Sequence, residues 1–271
     1  MVKELNGREL VGFVKERQAH LVQILRSNKK RAKLVIVRDS DNPVITKYVG
    51  LKCQYGEDIG VEVVDLKVEP TAEALKQAIR GANEDETVFG IIVQLPLMNS
   101  EITEEVLSEI APEKDVDGLS GQGNFDSATA TAINWLLTGY NIDLKQKKIA
   151  IVGRGRLVGR PLALMWRNSG LNVEVFHRGS DFSKLRDYDV IVTATGAPDL
   201  ITDEMIRSGA VIVDAGTASE GGRLVGDISD EIRERTDISA ITPKIGGVGP
   251  LTVGVLFENV LMAAERTQHQ N

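Results

Sequence analysis

The sequence contains a single cysteine, Cys53, which excludes an intramolecular disulfide and a cysteine-rich zinc cluster. One free thiol fits a reducing compartment, so a cytoplasmic location is the expectation. Histidine is also scarce. His20, His177 and His269 are too few and too scattered to form a metal cluster, and no metal is expected. Positive charge is in deficit, with 32 Lys and Arg against 39 Asp and Glu, for a net charge of -7. A broad nucleic-acid or anionic-membrane surface is therefore not expected, and any anion must be held by a local site. Long apolar runs are absent, and residues 1–10 alternate charge with apolar side chains instead of forming an apolar core. Both features disfavour secretion and membrane spanning.

What remains is an ordinary soluble composition, 42% hydrophobic and 26% charged, over 271 residues. At roughly 100–200 residues per domain this length implies two domains or one large one. Apolar periodicity predicts a helix over 7–26, a strand over 34–37, a helix over 44–56 and a strand over 61–66. A helix over 71–80 capped at Gly81, a strand over 89–95 and a helix over 101–110 follow. Alternating strands and helices mean an α/β fold with a parallel sheet. A Gly-, Ser- and Asp-rich loop over 112–127 interrupts the rhythm and marks the domain junction. A second series then starts, with helix at 130–138, strand at 149–152, helix at 161–169 and strands at 173–176, 190–193 and 210–213. An irregular Gly-rich stretch over 241–252 precedes a closing helix at 253–266.

The first strand of the second series runs into Gly153, Arg154, Gly155, Arg156, Leu157, Val158, Gly159, Arg160 and Pro161, a G-x-G-x-x-x-G turn opening a helix. Only glycine lets backbone approach a diphosphate this closely, with free N–H groups of a helix N-terminus aimed at the anion. The pattern alone also fits a tight turn without a ligand, and its last glycine comes one residue late. Its place inside a βαβ unit favours a dinucleotide. An acidic residue at the tip of the next strand would bind a ribose 2′-hydroxyl, whereas arginine accommodates a 2′-phosphate. Here the tip reads His177, Arg178, Gly179, Ser180. Arg178 with Arg154, helped by Ser180, makes NADP the expected cofactor over NAD, unless Arg178 is only a solvated loop residue.

In the first half, Tyr48 and Lys52 form Y-x-x-x-K on a predicted helix, where i and i+4 side chains share a face. Short-chain dehydrogenases carry such a pair after their nucleotide turn, whereas here it precedes the turn. Spacing alone equally fits an exposed Tyr–Lys pair. Three further strings are more specific than a fold requires: V-Q-L-P-L at 93–97, K-D-V-D-G at 114–118 and G-G-V-G-P-L-T at 246–252.

Together with Y-x-x-x-K and G-R-x-x-x-V-G-R-P, in this order over nearly the whole chain, these strings resemble the bifunctional methylenetetrahydrofolate dehydrogenase/cyclohydrolase family. The resemblance implies an α/β domain over 1–120, completed by a C-terminal helix at 252–271, and a Rossmann dinucleotide-binding domain over 121–251, with folate in the cleft between them. It implies a homodimer through the Rossmann domains. The implied reaction is NADP-dependent oxidation of 5,10-methylenetetrahydrofolate to the methenyl cation, followed by hydrolysis to 10-formyltetrahydrofolate. Lys52 would be the catalytic lysine, Tyr48 would stack on the folate, Gln94 would hydrogen-bond Lys52, and Asp117 would bind the pterin. Gly247 and Pro250 would line the folate side, while Thr195 and Gly196 join Gly153, Arg154, Gly155, Gly159, Arg178 and Ser180 at the cofactor.

The chemistry asks for these residue types independently. Hydride transfer is dominated by positioning, whereas hydrolysis needs proton shuttling, which a desolvated lysine can provide. Asp117 can accept paired N–H donors from an amino-pyrimidinone edge, unless it only makes an Asx-turn. Departures from the family pattern are visible. Residues 126–131 (D-S-A-T-A-T) lack a P-C-T-P-like segment, so a looser helix entry is expected. Gly155 replaces a common serine, and the 177–180 tip differs from H-S-x-T, which removes hydroxyl donors near the cofactor phosphates. Lys244 and Ile245 replace V-P, and Ile45 replaces a serine. Cys53 is expected to be a packed small residue, Trp135 and Trp166 core residues, and His20 and His269 surface residues. A dehydrogenase without the hydrolytic step and a non-catalytic dinucleotide-binding regulator are the alternatives. Tyr48, Lys52 and Gln94 argue against the first, and Lys52 and Asp117 against the second.

Overall fold

A computed structural model describes residues 2–216, 218–220 and 223–266. The chain opens with a two-residue strand, β1 (Lys3–Glu4), and a long helix, α1 (Gly7–Ser27). Strand β2 (Lys33–Arg38) leads into helix α2 (Pro43–Ile59), which starts where the Asn42 side chain accepts from the Val44 N–H and Pro43 supplies a preset φ. Gly60 ends it in the left-handed region at φ 84°. Strand β3 (Glu62–Lys67), helix α3 (Ala72–Glu84), strand β4 (Val88–Val93) and the short helix α4 (Thr103–Leu107) follow. Gly81 does not cap α3 as expected. A Cβ there would meet nothing, so the glycine sits on an open helix face and the helix continues to Glu84.

The second series comprises α5 (Ala128–Gly139), β5 (Lys148–Val152), α6 (Gly159–Asn168), β6 (Asn172–Phe176), β7 (Val190–Thr193) and β8 (Val211–Asp214). A small hairpin of β9 (Ala218–Glu220) and β10 (Arg223–Val225), the short helix α7 (Asp230–Arg233) and strand β11 (Ala240–Ile241) precede α8 (Val248–Arg266). The final helix begins five residues earlier than expected. Pro250 lies in its first turn, where a missing N–H removes no intrahelical bond. The expected helical tail and His269 fall at 267–271, outside the described residues.

The chain divides into two units, residues 12–128 with 253–271, and residues 1–11 with 129–252. In the first, β2 is the middle of a parallel three-stranded sheet of order β3-β2-β4. Strands β2 and β4 are almost continuously buried, as parallel strands covered on both faces must be. Val35, Val37, Ile91 and Val93 pack with Leu75 and Ile79 of α3 and Leu107 of α4. Elsewhere in this unit Tyr55 of α2 stacks on Phe257 of α8 at 5.0 Å, and its hydroxyl donates to the buried Gln18 of α1 at 2.8 Å. Helix α8 is long and apolar enough to cross a membrane, yet Val255, Leu256, Phe257, Val260 and Leu261 are all buried inside the protein.

The second unit is a six-stranded, wholly parallel sheet of order β1-β11-β8-β7-β5-β6. Strand β1 pairs with β11, and contacts group residues 1–11 with this unit, whereas the sequence boundaries 1–120 and 121–251 place them with the first. Trp166 is 1% exposed in this core and donates to Asn134, while Trp135 is half-buried. His20 lies exposed on α1.

Candidate functional site

Helix α2 follows directly from the carboxyl end of β2, and β4 delivers Gln94 just past its own carboxyl end. The two elements bring the Lys52 ammonium to Gln94, whose Oε1 accepts from Nζ at 2.6 Å. The same amide is aimed by its other end, since Gln94 Nε2 donates to the Leu95 carbonyl at 3.1 Å. Tyr48 lies one turn before Lys52 on α2, half-buried like it. Leu95 and Pro96 are joined by a cis peptide, and Met98 beyond them donates its N–H to the buried Asp39 at 2.9 Å. Burial lowers the affinity of Lys52 for its proton, and the Asp117 carboxylate opposes that shift.

Asp117 stands in a loop that its neighbours build. Lys114 donates to the carbonyls of Ala82, Asn83 and Asp85 and so neutralises the exposed end of α3. Asp115, fully buried, accepts from the N–H groups of Gly118, Leu119 and Ser120 and from the Ser120 hydroxyl at 2.6 Å. The Val116 carbonyl accepts from Asn259 of α8 at 2.8 Å. Gly118 turns the loop at φ 66°, where a Cβ would lie 2.7 Å from the Phe125 carbonyl. The K-D-V-D-G string is thus a scaffold with one carboxylate left over. Burial pushes the Asp117 carboxyl up to about 6, Lys52 pulls it down, and Asp115 pushes it further up. A half-buried amine coupled to a half-buried carboxylate is the kind of pair in which proton transfer and recognition of a polar heterocycle occur.

In the second unit the Gly-rich turn follows β5. A Cβ on Gly153, at φ 112°, would lie 2.4 Å from the Ala194 carbonyl, and one on Gly159 would lie 2.0 Å from the Gly153 carbonyl. These two glycines are required by packing alone. Gly155 is not, because a Cβ there meets nothing within 4 Å. Serine at this position is therefore expected to leave the melting temperature unchanged while restoring a hydroxyl donor. Comparing the NADP KM of Gly155→Ser and the parent should show a decrease, and an unchanged KM would remove Gly155 from the cofactor contacts.

Beside the turn lies a cavity of about 540 Å³ lined by Arg154, Gly159, Arg160, Ala163, Leu164, Arg167, Val175 and His177. Three arginines and, among the described residues, no carboxylate line it. Arg160, Ala163, Leu164 and Arg167 form one face of α6 at helical spacing, a signal present in the sequence but not assigned there. Arg178 is exposed at the β6 tip and is not among the cavity's lining residues, and the Ser180 hydroxyl accepts from the His177 N–H at 3.0 Å. Thr195 and Gly196 form an exposed turn after β7, with Gly196 at φ 68°.

Other residues singled out in the sequence take structural places. Lys244 makes a bidentate ion pair with Asp230 at 2.8 Å, and Ile45 is buried in the core. Gly247 is buried immediately before α8. The helix entry after residue 126 is anchored and not loose, since Ser127 and Ala128 are buried and the Ala128 N–H donates to the Asp117 carbonyl at 3.3 Å. Cys53 is half-buried, and burial pushes its thiol up, away from nucleophilic reactivity.

A sequence profile described as tetrahydrofolate dehydrogenase/cyclohydrolase, catalytic domain, matches residues 5–117. The corresponding NAD(P)-binding domain profile matches residues 127–268. The bifunctional protein FolD of Macrococcus caseolyticus is 35% identical over 280 residues, covering 98% of this chain and 99% of that protein. That of Aquifex aeolicus is 36% identical, covering 97% of this chain and 95% of its own length. Among solved structures, the bifunctional enzyme FolD of Campylobacter jejuni has a TM-score of 0.93 at 32% identity, over 98% of this chain and 100% of that one. The Trypanosoma brucei methylenetetrahydrofolate dehydrogenase-cyclohydrolase, solved with NADP and an inhibitor, has a TM-score of 0.92 at 29% identity, over 98% of each chain. With both profiles matched in order and relatives above one-third identity over nearly the full length, the chain belongs to the tetrahydrofolate dehydrogenase/cyclohydrolase family.

Proposed function

We propose that the protein oxidises 5,10-methylenetetrahydrofolate to the 5,10-methenyl cation with NADP and then hydrolyses the cation to 10-formyltetrahydrofolate. The observation that carries this reading is the Lys52–Gln94 hydrogen bond of 2.6 Å, electrostatically coupled to Asp117. Neither a dinucleotide sensor nor a dehydrogenase lacking the hydrolytic step needs a desolvated amine held in this way.

In the reading, Asp117 accepts N–H donors of the pterin edge and Tyr48 orients the ring system. Gly247 and Pro250 would contact the folate. NADP, held by the turn of the second unit, would supply the hydride acceptor for the methylene carbon. Hydrolysis then adds water to the methenyl carbon, one carbon–nitrogen bond opens, and one proton is released. The neutral Lys52 amine takes a proton from the attacking water, and Gln94 holds its nitrogen in place. A cationic substrate further favours the neutral amine.

Gly153, Gly155 and Gly159 would carry the diphosphate, and Thr195 and Gly196 would face the cofactor from β7. A 2′-phosphate would be held by Arg154, with Arg178 and Ser180 at the β6 tip. The arginine-lined cavity beside Arg154 supports NADP over NAD, because a phosphate monoester compensates charges that a ribose hydroxyl does not. The open outer edge of β6 and the exposed Leu164 support a homodimer through this unit, and the lone thiol supports a cytoplasmic location.

The test is a paired spectrophotometric assay. NADP and NAD reduction with 5,10-methylenetetrahydrofolate is followed in one cuvette and loss of the methenyl absorbance in another. Both signals are expected, with NADP preferred, and Arg154→Ala is expected to lower kcat/KM for NADP by about 10- to 100-fold with little effect on NAD. Reduction without hydrolysis would remove the cyclohydrolase half of the reading. Equal loss with both cofactors would remove Arg154 from 2′-phosphate recognition.

A further inference from the structure

The strand order of the six-stranded unit places a topological switch between β5 and β7, because the chain leaves β5 outward to β6 and returns on the other side to β7 and β8. A dinucleotide crosses the sheet at such a point, outside the carboxyl ends of the strands. By that rule β6 and Arg154 would hold the adenosine half, and the ends of β7 and β8 would meet the nicotinamide half. Two backbone segments form that second rim, Thr195–Gly196 after β7 and Ala215–Gly216 after β8.

Beneath the rim lies a buried polar cluster that sheet packing does not require. Asp227, 0% exposed, accepts the Thr195 N–H at 2.6 Å. Its carboxylate also fills the space where a Gly216 side chain would stand, since a Cβ there would lie 2.1 Å from Cγ and Oδ1. Asp214 accepts from the Thr193 hydroxyl at 3.0 Å, from the N–H groups of Gly216 and Asp227 at 3.1 Å each, and from Arg233 at 2.8 Å. Arg233 in turn donates to the Thr242 carbonyl at 2.8 Å, and the Thr242 hydroxyl accepts the Asp214 N–H at 2.9 Å. Thus Arg233 compensates Asp214 directly, and among the described residues no cation pairs with the buried Asp227 carboxylate. Such a group is costlier than an apolar filler of the same volume. Burial raises its proton affinity, and hydrogen bonds from Thr195 and Gly196 oppose the rise.

We infer that Asp227 is a positioning residue for the nicotinamide half of the cofactor, fixing the Thr195–Gly196 turn by its N–H bond and the Gly216 backbone by contact, so that both rim segments stand at one height. The inference rests on the dinucleotide reading above. Asp227→Asn keeps the shape and weakens the hold on Thr195, and Gly216→Ala displaces the carboxylate from the other side.

The experiment is calorimetric titration of the full chain with NADPH and with adenosine 2′,5′-bisphosphate, which carries only the adenosine half. Both variants are expected to bind NADPH about tenfold or more weakly while holding the bisphosphate as the parent does. KM for NADP should rise more than KM for the folate. Unchanged NADPH binding in folded variants would overturn the inference, and so would equal weakening of both ligands, which a general loss of structure produces. A parent chain that binds neither ligand would instead overturn the dinucleotide reading itself.

Discussion

Replacing Lys52 by methionine is expected to slow hydrolysis of the methenyl cation by about 10²–10⁴-fold, the usual contribution of a positioned acid–base group, while NADP reduction persists. The asymmetry follows from the two chemistries. Hydride transfer needs the methylene carbon held against the acceptor and no proton donor, so an apolar side chain of similar length leaves it largely intact. Hydrolysis needs a group that takes a proton from water, and the thioether of the variant is not basic enough to do so. The pH profile gives a second, independent sign. Burial lowers the Lys52 proton affinity, so the neutral amine becomes available below the ordinary lysine range. The parent hydrolysis rate should therefore rise with pH and level off below pH 10.5, and Lys52→Met should lose that rise. Hydrolysis at the parent rate in the variant would show that Lys52 is not the base.

Asp117→Asn is expected to weaken folate binding by about 100-fold or more, since two hydrogen bonds to a charged acceptor contribute about 1.5–3 kcal/mol each. It should also make the protein more stable at neutral pH. Folding raises the Asp117 pKa from 3.8 to about 6, so the folded state binds the proton more tightly than the unfolded chain. Stability from this group is fully present below 3.8, declines as pH rises toward 6, and stays lower above it. Asparagine removes the ionisation, and the melting temperature at pH 7 should rise by about 2–4 °C for each kcal/mol relieved. The parent KM for folate should increase as pH falls below about 6, whereas the variant should be flat. A variant that binds folate normally, or melts lower at pH 7, would contradict the assignment.

Strands β2, β4, β5, β7 and β8 were legible because both of their faces are covered, which writes each one as an apolar run such as Val35 to Val37 or Ile149 to Val152. Strand β1 was not, because Lys3 and Glu4 are exposed and pair only through backbone with residues near 240. The start of α8 was hidden by Gly249 and Pro250, which read as breakers but are tolerated in a first helical turn. Lys52 and Asp117 could be named from residue type and motif. The groups that hold the Asp117 loop could not, since Lys114 answers carbonyls about 30 residues away and Asp115 answers N–H groups whose direction depends on the turn at Gly118. Asp227 had no signal in its own neighbourhood, because what it grips, Thr195 and Gly216, comes from two other loops.

Pairing of Lys3 with Ala240 and stacking of Tyr55 on Phe257 have a consequence for biosynthesis. Each unit is closed by a segment synthesised long after its first element. At about 5–20 residues per second, an emerging chain waits on the order of tens of seconds before either unit can close. During that interval the edge of β8 that β11 will cover and the seat of α8 stand open to other molecules. Early termination should thus produce aggregation-prone fragments, not half-enzymes.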